Sequence, residues 1–355
     1  MPRRHLNPES PWLLALLAAL VALGPLSVDM YLPAMPAMMR ALDADIGQMH
    51  LTLSTYLTGF AVFHLACGPL ADRFGRKPLL LGGTLVFVAA CIGCAQSDSV
   101  EELLVFRFLQ VVGACVGPTL ARTVTRDIFG PRRAARALSL IAMLMALGPA
   151  VAPTLGGFVL LVLPWPVIFI FLALYGALMI LLIQVYLAES LPGRQSLHPA
   201  SIARNYAHLI ADPSFLSVTI ASALVYAGLM AYLSSSSFVY IDMLGVPVQY
   251  FGFIFLSTVA GYIARSGISA RLATRWDSRQ TMLLGGALCV LTCTCMWVGN
   301  NLFASSIWVL ILPMTVYAIG MGLVLPHAMA IAMAPFPQMA GTASALLGFI
   351  QMGLS

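Results

Sequence analysis

The 355-residue sequence has little charge: aspartate, glutamate, lysine and arginine together make up only 9% of it. Soluble domains contain about 25% charged residues. Here 60% of the residues are hydrophobic, and the mean hydropathy is +0.93. A long chain with so few charges cannot cover a globule with polar surface. The composition therefore excludes an ordinary soluble domain and predicts an integral membrane protein in a lipid bilayer.

The motifs on which catalysis and metal binding usually depend are also missing. No catalytic triad, glycine-rich phosphate loop or carboxylate pair occurs, so we predict a protein that is not an enzyme and has no catalytic residues. The seven cysteines lie in or beside apolar runs, and Cys91-Ile-Gly-Cys94 has no second pair and no nearby histidine. Buried thiols are favoured over a redox or metal pair. We expect no metal site and no bound cofactor.

The net charge of +5 does not indicate nucleic-acid binding, because the arginines stand in short clusters between apolar runs. Clusters lie at the N-terminus and after the second, fourth, sixth and eighth runs. The alternate loops carry mostly acidic residues. By the positive-inside rule, the N-terminus and the linker at 189–213 face the cytoplasm. We expect no nucleic-acid partner.

Apolar runs that can cross a bilayer recur along the whole chain. A spanning helix needs about 20 mostly apolar residues. The polar stretch 189–213 separates two groups of such runs, which predicts an all-α integral membrane protein. The predicted spans are 12–36, 48–70, 79–97, 102–124, 137–161, 166–188, 214–238, 248–268, 280–298 and 305–334, and an eleventh that begins near 341 and is cut short.

A short internal repeat relates the two groups. Leu70-Ala-Asp-Arg73 and Leu80-Leu-Gly-Gly83 recur as Leu272-Ala-Thr-Arg275 and Leu283-Leu-Gly-Gly286. Each copy closes the second span of its half and opens the third, so chance similarity is a poor explanation. Two duplicated six-helix halves are typical of transporters that rock around a central site. The predicted domains are an N-terminal bundle at 1–188, a cytoplasmic linker at 189–213 and an incomplete C-terminal bundle at 214–355.

Asp29 is the strongest functional candidate because it lies in the first predicted span. An ionised side chain deep in a bilayer costs at least about 2.5–3.5 kcal/mol, so such a residue is usually functional, paired or protonated. A carboxylate escapes this cost by taking up a proton. The alternative is an ordinary residue near the outer interface, because the prolines that follow can end the helix.

Arg107, on the fourth span, is the natural partner of Asp29. At about 1.5 Å of rise per residue the two side chains come to nearly the same depth, which predicts a pair. Gln110 shares the helix face of Arg107. The alternative is a structural arginine whose head group extends to the outer interface.

The fifth span carries the sequence Gly148-Pro-Ala-Val-Ala-Pro-Thr-Leu-Gly-Gly157. Its two prolines remove backbone donors, which is tolerated in lipid only where neighbouring helices or water satisfy the freed carbonyls. A bendable gating helix and plain small-residue packing are both compatible with this pattern. The residues in question are Gly148, Pro149, Pro153, Gly156 and Gly157.

The charged stretch Gly68-Pro-Leu-Ala-Asp-Arg-Phe-Gly-Arg-Lys-Pro78 resembles the loop between helices two and three of the major facilitator superfamily. With Arg107 and the fifth-span motif, it resembles the twelve-helix drug:proton antiporter branch. Asp29-Met-Tyr-Leu-Pro-Ala-Met-Pro36 and Arg126-Asp-Ile-Phe129 resemble the Bcr/CflA drug-resistance group. The resemblance implies a major facilitator fold of two pseudo-symmetric six-helix bundles, here cut short within helix 11.

This resemblance implies a proton-coupled multidrug efflux antiporter of the bacterial inner membrane, working by alternating access on chloramphenicol-, bicyclomycin- or sulfonamide-like drugs. Protons would be the coupling ion, Asp29 the protonation site and Arg107 its modulator. We expect a monomer whose partners are lipid and a small-molecule drug or metabolite. The predicted substrate cavity comprises Tyr31, Met35 and Gln110. The cytoplasmic gate comprises Gly68, Asp72, Arg73, Gly75, Arg76 and Lys77.

Two other functions stay open from the sequence. The same fold can export a metabolite such as a sugar, amino acid or peptide, and a channel or sensor that does not pump has the same composition. Dependence on a proton gradient separates a pump from a channel. A substrate screen separates a drug from a metabolite.

Overall fold

The computed structural model describes residues 11–146, 148–191, 199–272, 276–302, 306–336 and 340–355. These residues form helices and connecting turns, with no β-strand among them. The chain divides into two compact units, Met1–Leu197 and His198–Ser355. Eight of the helices in the described part are long and apolar enough to cross a membrane. The all-α membrane architecture predicted from composition is confirmed.

The N-terminal unit begins with a span that is interrupted in its middle. Helix α1 ends at Asp29, and a single 3-10 turn at Leu32–Ala34 separates it from the short helix α2. Pro33 and Pro36 lack the backbone N–H groups that a continuous helix would use, which accounts for the break. The helices of this unit are α1 (Pro11–Asp29), α2 (Met35–Ala41), α3 (Ile46–Phe74), α4 (Arg76–Ala95), α5 (Val100–Ala146), α6 (Gly148–Val159) and α7 (Pro166–Tyr186).

Helix α5 differs from the sequence prediction because it is continuous over 47 residues. It replaces the predicted fourth span, the basic loop and the start of the predicted fifth span. The rest of that fifth span is the separate helix α6, which contains Pro153. The arginines of the loop do not break a helix, because arginine is a good helix former.

The C-terminal unit repeats this helical architecture. It starts with α8, which lies inside the stretch predicted as a linker and was not predicted as a helix. A six-residue π-helix, Phe238–Met243, extends α9. The helices of this unit are α8 (Pro199–Ile210), α9 (Pro213–Ser237), α10 (Val248–Leu272), α11 (Ser278–Leu302), α12 (Trp308–Met333) and α13 (Ala340–Gly353). Part of the predicted repeat, residues 273–275, lies outside the described residues.

Glycines bring the helices of the N-terminal unit into close contact. A Cβ atom on Gly113 of α5 would collide with the carbonyl oxygen of Gly83 on α4. A Cβ atom on Gly117 would collide with the carbonyl oxygen of Leu20 on α1. Helix α5 therefore packs backbone against backbone with two neighbours. This packing brings the part of α5 around Gly113 and Gly117 close to α4 and α1.

Candidate functional site

Arg107 is completely buried in the N-terminal unit, with no exposed surface. Its Nη1 donates hydrogen bonds to the backbone carbonyl of Ser27 (3.1 Å) and to Oε1 of Gln110 (2.8 Å). The guanidinium carbon lies 4.3 Å from the ring centre of Tyr31 and 4.5 Å from that of Tyr56. Cation–π contact with two desolvated rings stabilises the charge. We call these five residues the arginine site.

Two further nitrogens of the arginine site are not satisfied. Nε and Nη2 of Arg107 are buried and have no hydrogen-bond partner among the described residues. A buried donor without an acceptor costs roughly 1–3 kcal/mol, and more when the group is charged. The site can therefore accept one more oxygen ligand, such as a carboxylate or a water molecule.

The rings around Arg107 are fixed by their own hydroxyl groups. The hydroxyl of Thr52 on α3 donates to the Met49 carbonyl (2.6 Å) and accepts a hydrogen bond from Tyr31. The hydroxyl of Tyr56 donates to the carbonyl of Gly24 at 3.4 Å. These bonds connect α3 with α1 and with the turn that follows α1, next to the guanidinium.

Gln110 extends the site to α4, because its Nε2 donates to Sγ of Cys91 at 3.0 Å. Arg107, Gln110 and Tyr31 were predicted from the sequence as site residues, and Ser27, Tyr56 and Cys91 were not. The contact of Ser27 is made by its backbone, and Tyr56 stands in an apolar run like many membrane aromatics. No local sequence pattern reports these contacts between helices.

Asp29 is buried, with only 6% of its surface exposed. Within the described part of the chain no ion pair joins it to Arg107, so the predicted direct contact is absent from this structure. Ser27 and Tyr31 are four residues apart and face Arg107 together. Asp29 follows Ser27 by two residues, which turns its side chain about 200° around the helix axis. The depth of the two residues fits, but the rotation of α1 separates them.

The fifth-span motif packs on the chain segment that follows Asp29. A Cβ atom on Gly156 would lie 2.7 Å from the carbonyl oxygen of Met30 and 3.0 Å from Pro33. One on Gly148 would lie 3.6 Å from Pro25. Gly157 and Pro153 are buried in the same helix, α6, while the side chain of Pro149 is outside the described residues. Helix α6 thus contacts the break between α1 and α2.

The predicted cavity residues Tyr31, Met35 and Gln110 are all fully buried. Tyr31 and Gln110 belong to the arginine site. Met35 is the first residue of α2, directly after the break. The structure therefore brings two of the three together around one charged group.

The predicted gate residues extend from the end of α3 through Gly75 to the start of α4, so the stretch predicted as a loop is helical except at Gly75. Gly75 has φ +107°, a conformation that favours glycine. Nε of Arg76 lies 3.3 Å from Oδ2 of Asp127, an ion pair between α4 and α5. Arg73 is exposed and its guanidinium lies 5.4 Å from the ring centre of Phe74. The side chain of Asp72 is outside the described residues, and a Cβ atom on Gly68 would meet open space.

Glu189, which the sequence analysis did not assign to the gate, is central to this turn. Its carboxylate accepts hydrogen bonds from the backbone N–H groups of Arg76 (3.0 Å) and Lys77 (3.1 Å). A carboxylate at the N-terminus of α4 is favoured by the helix dipole. Nζ of Lys77 donates to the carbonyl of Leu187 (2.6 Å) beyond the end of α7. The turn is therefore attached to the segment that follows α7.

Comparison with solved structures shows the same fold at low sequence identity. A peptide transporter POT, crystallised as a mutant in complex with sulfate, has a TM-score of 0.80 at 16% identity; the match covers all of this chain and 89% of the other. A bacterial homologue of the human lysosomal transporter Spinster has a TM-score of 0.74 at 16% identity, and the match covers 97% of this chain and 79% of the other. Both similarities concern the fold alone.

Sequence relatives cover nearly the whole chain. The MFS-type transporter YdgK of Bacillus subtilis, itself uncharacterised, is 32% identical over 95% of this chain and 85% of its own length. The bicyclomycin resistance protein homolog of Haemophilus influenzae is 30% identical over 95% of this chain and 85% of its own length. The multidrug resistance protein MdtL of Vibrio parahaemolyticus is 30% identical over 94% of this chain and 84% of its own length. The sequence profile of the Major Facilitator Superfamily matches residues 16–355. The chain therefore belongs to the Major Facilitator Superfamily and is a transporter rather than an enzyme.

Proposed function

We propose that this transporter exports small amphipathic drugs in exchange for protons. The relatives named for bicyclomycin and multidrug resistance, at about 30% identity over almost the full chain, support a drug-type substrate. Chloramphenicol-, bicyclomycin- and sulfonamide-like compounds are the first candidates. The protein would work as a monomer in the bacterial inner membrane, with its N-terminus in the cytoplasm.

The observation that carries this proposal is the incomplete coordination of Arg107, close along α1 to the buried Asp29. Among the described residues, two guanidinium nitrogens have no acceptor and the carboxyl group of Asp29 has no ion-pair partner. An unpaired carboxylate in this environment is costly, and either protonation or contact with Arg107 removes the cost. Asp29 thus has two favourable states, one of which requires a proton.

The exchange between these states requires a rotation of α1 near its end. We expect this rotation at the break Leu32–Ala34. Pro33 has no backbone N–H, so one of the hydrogen bonds that would hold a continuous helix is missing there. When Asp29 loses its proton, we expect it to turn toward Nε and Nη2 of Arg107. Protonation would release it again.

This rotation would reach α6 and the substrate at the same time. Gly156 contacts Met30 and Pro33 directly, so a turn of that segment must displace α6. Tyr31 and Met35 are fully buried, and a substrate would touch them only after the same displacement. Proton and drug would therefore compete for one rearrangement, which is the requirement for exchange.

At the inner face, the junction of α3 and α4 would stabilise one gate state. Its residues are Gly68, Asp72, Arg73, Gly75, Arg76 and Lys77. The Arg76–Asp127 ion pair and the Glu189 contacts would hold this gate state together, and a change of gate state would break them. The driving force is sufficient: about 2.3 kcal/mol per charge for each 100 mV, and about 1.4 kcal/mol for each pH unit.

The test is drug efflux by purified protein in proteoliposomes with an imposed pH gradient. We expect Asp29→Asn to abolish gradient-driven efflux, because its amide cannot take up a proton, while the protein still inserts and folds. Asp98→Asn is the matched control, since Asp98 is exposed in the turn before α5, and it should keep full efflux. Full efflux by the Asp29→Asn protein would refute the assignment.

A further inference from the structure

The C-terminal unit repeats the helix crossing that positions the arginine site. A Cβ atom on Gly113 would collide with the carbonyl oxygen of Gly83 where α5 crosses α4. A Cβ atom on Gly320 would lie 2.7 Å from the carbonyl oxygen of Gly285 where α12 crosses α11. The two crossings have the same glycine-to-carbonyl contact. The contacts therefore align Gly113 with Gly320 and Gly83 with Gly285, one residue away from the sequence repeat, which pairs Gly83 with Gly286.

This register shows what replaces the arginine site in the C-terminal unit. Six residues before the crossing glycine, α5 has the cation of Arg107 and α12 has the thioether of Met314. Three residues before that glycine, α5 has an amide and α12 has a phenol. On the partner helices α4 and α11, a cysteine follows the crossing glycine by eight residues in both units. The matching positions are Arg107 with Met314, Gln110 with Tyr317, and Cys91 with Cys293.

A cavity of about 240 Å³ lies at this matching position, between α9, α11 and α12. Among the described residues, no charged side chain lines it. The lining is aromatic and sulfur-containing, and includes Tyr232, Tyr240, Cys293, Met296, Met314 and Tyr317. Where the N-terminal unit encloses a guanidinium, the C-terminal unit has an uncharged space.

We infer that this cavity binds the uncharged aromatic ring system of a small molecule. An apolar cavity of about 150 Å³ holds a benzene molecule, so about 240 Å³ admits a substituted ring or a fused pair of rings. Met and Tyr side chains make favourable contacts with aromatic rings. A charged group would enter without a counter-ion, which carries a large desolvation cost.

The hydroxyl groups of the cavity add one polar contact. Tyr317 donates to the carbonyl of Val225 at 2.6 Å, so its hydrogen is occupied. The hydroxyls of Tyr232 and Tyr240 are 3.1 Å apart and share one hydrogen bond. The hydroxyl that accepts this bond keeps its own hydrogen for a ligand. The preferred ligand is therefore a neutral ring compound with one hydrogen-bond acceptor.

The inference deepens the proposed export function, because it assigns recognition of the apolar part of a drug to the C-terminal unit. A failure of this inference can be distinguished from a failure of the proposed export function, because equilibrium binding of a ring compound requires neither a proton gradient nor Asp29. Cys293 is exposed and also lines the cavity, so its reactivity reports occupancy.

The experiment measures alkylation of Cys293 by N-ethylmaleimide in the purified full chain in lipid nanodiscs, read by mass spectrometry. Cys295→Ser removes the neighbouring exposed thiol. We expect saturating 1-naphthol to slow alkylation of Cys293 at least fivefold and 1-naphthalenesulfonate, which has the same rings and a charge, to change it less than twofold. Cys295 in a Cys293→Ser protein should react at an unchanged rate, since Cys295 does not line the cavity.

A matched pair of variants tests the location. Ser235 lines the cavity and Ser234, its neighbour, does not. Ser235→Leu should abolish protection by 1-naphthol, and Ser234→Leu should retain it. Equal protection by the sulfonate, no protection by 1-naphthol, or protection that survives Ser235→Leu would overturn the inference. If Ser235→Leu does not fold, the comparison of the two naphthalenes on the Cys295→Ser protein decides alone.

Discussion

Arg107 donates a 3.1 Å hydrogen bond to the backbone carbonyl of Ser27, two residues before Asp29 on the same helix. The cation is thus attached to α1 through the backbone, while the carboxyl group of α1 lies on another side. Arg107 of α5 is therefore bonded to the helix that carries Asp29, just before the break at Leu32–Ala34.

The ring of Tyr56 should contribute more to stability than its hydroxyl. Tyr56→Leu removes one of two aromatic faces from a fully buried cation, and a desolvated cation–π contact is worth about 2 kcal/mol. Tyr56→Phe keeps the ring and loses only a 3.4 Å hydrogen bond. Thermal unfolding of the purified proteins should show a clear fall in Tm for Tyr56→Leu and a small fall for Tyr56→Phe. Equal melting of both variants would contradict the role of the ring.

Gly156→Ala should impair transport by moving α6. Its Cβ atom would lie 2.7 Å from the carbonyl oxygen of Met30, and backbone cannot yield as a flexible side chain does. Overpacking of this kind costs about 1–3 kcal/mol, and we expect efflux to fall at least about tenfold. Gly82→Ala is the control because its Cβ atom would meet nothing within 4 Å. Normal efflux in the Gly156→Ala protein would show that α6 does not need this close contact.

The similar level of Asp29 and Arg107 along the helices could be predicted from the sequence, but their separation around α1 could not. Hydropathy predicted most of the spans, although α5 continues through the predicted fourth span and the basic loop after it. Their separation depends on the rotation of α1, which is set by its packing against Gly117 and its neighbours on α5. Such packing is a property of the tertiary structure and leaves no local pattern.

The role of Glu189 illustrates the same limit at longer range. It contacts Arg76 and Lys77 from a distant part of the sequence, and a polar stretch after a span gives no sign of such a partner. The neighbouring helix α8 was missed for a different reason. Its 12 residues stand in a stretch rich in polar and turn-forming residues, which favoured a linker.

Glu189→Gln should weaken the attachment of the α3–α4 turn to the segment after α7. The change removes the negative charge at the N-terminus of α4, and such charges contribute about 0.3–1 kcal/mol at low salt. Unfolding at low and high salt measures this effect, which salt should screen. Asp43→Asn is the control, an exposed acid in the turn between α2 and α3. A Glu189→Gln protein as stable as the control at low salt would show that the charge is not needed.

Proton movement driven by a drug gradient tests the central claim most directly. Proteoliposomes are loaded with chloramphenicol and a pH-sensitive dye at equal pH on both sides, with the voltage clamped by potassium and valinomycin. If drug leaves in exchange for protons, the lumen acidifies with the native protein and with Asp98→Asn, and stays constant with Asp29→Asn. Drug exit without acidification by the native protein, or acidification that persists in the Asp29→Asn protein, would contradict the account.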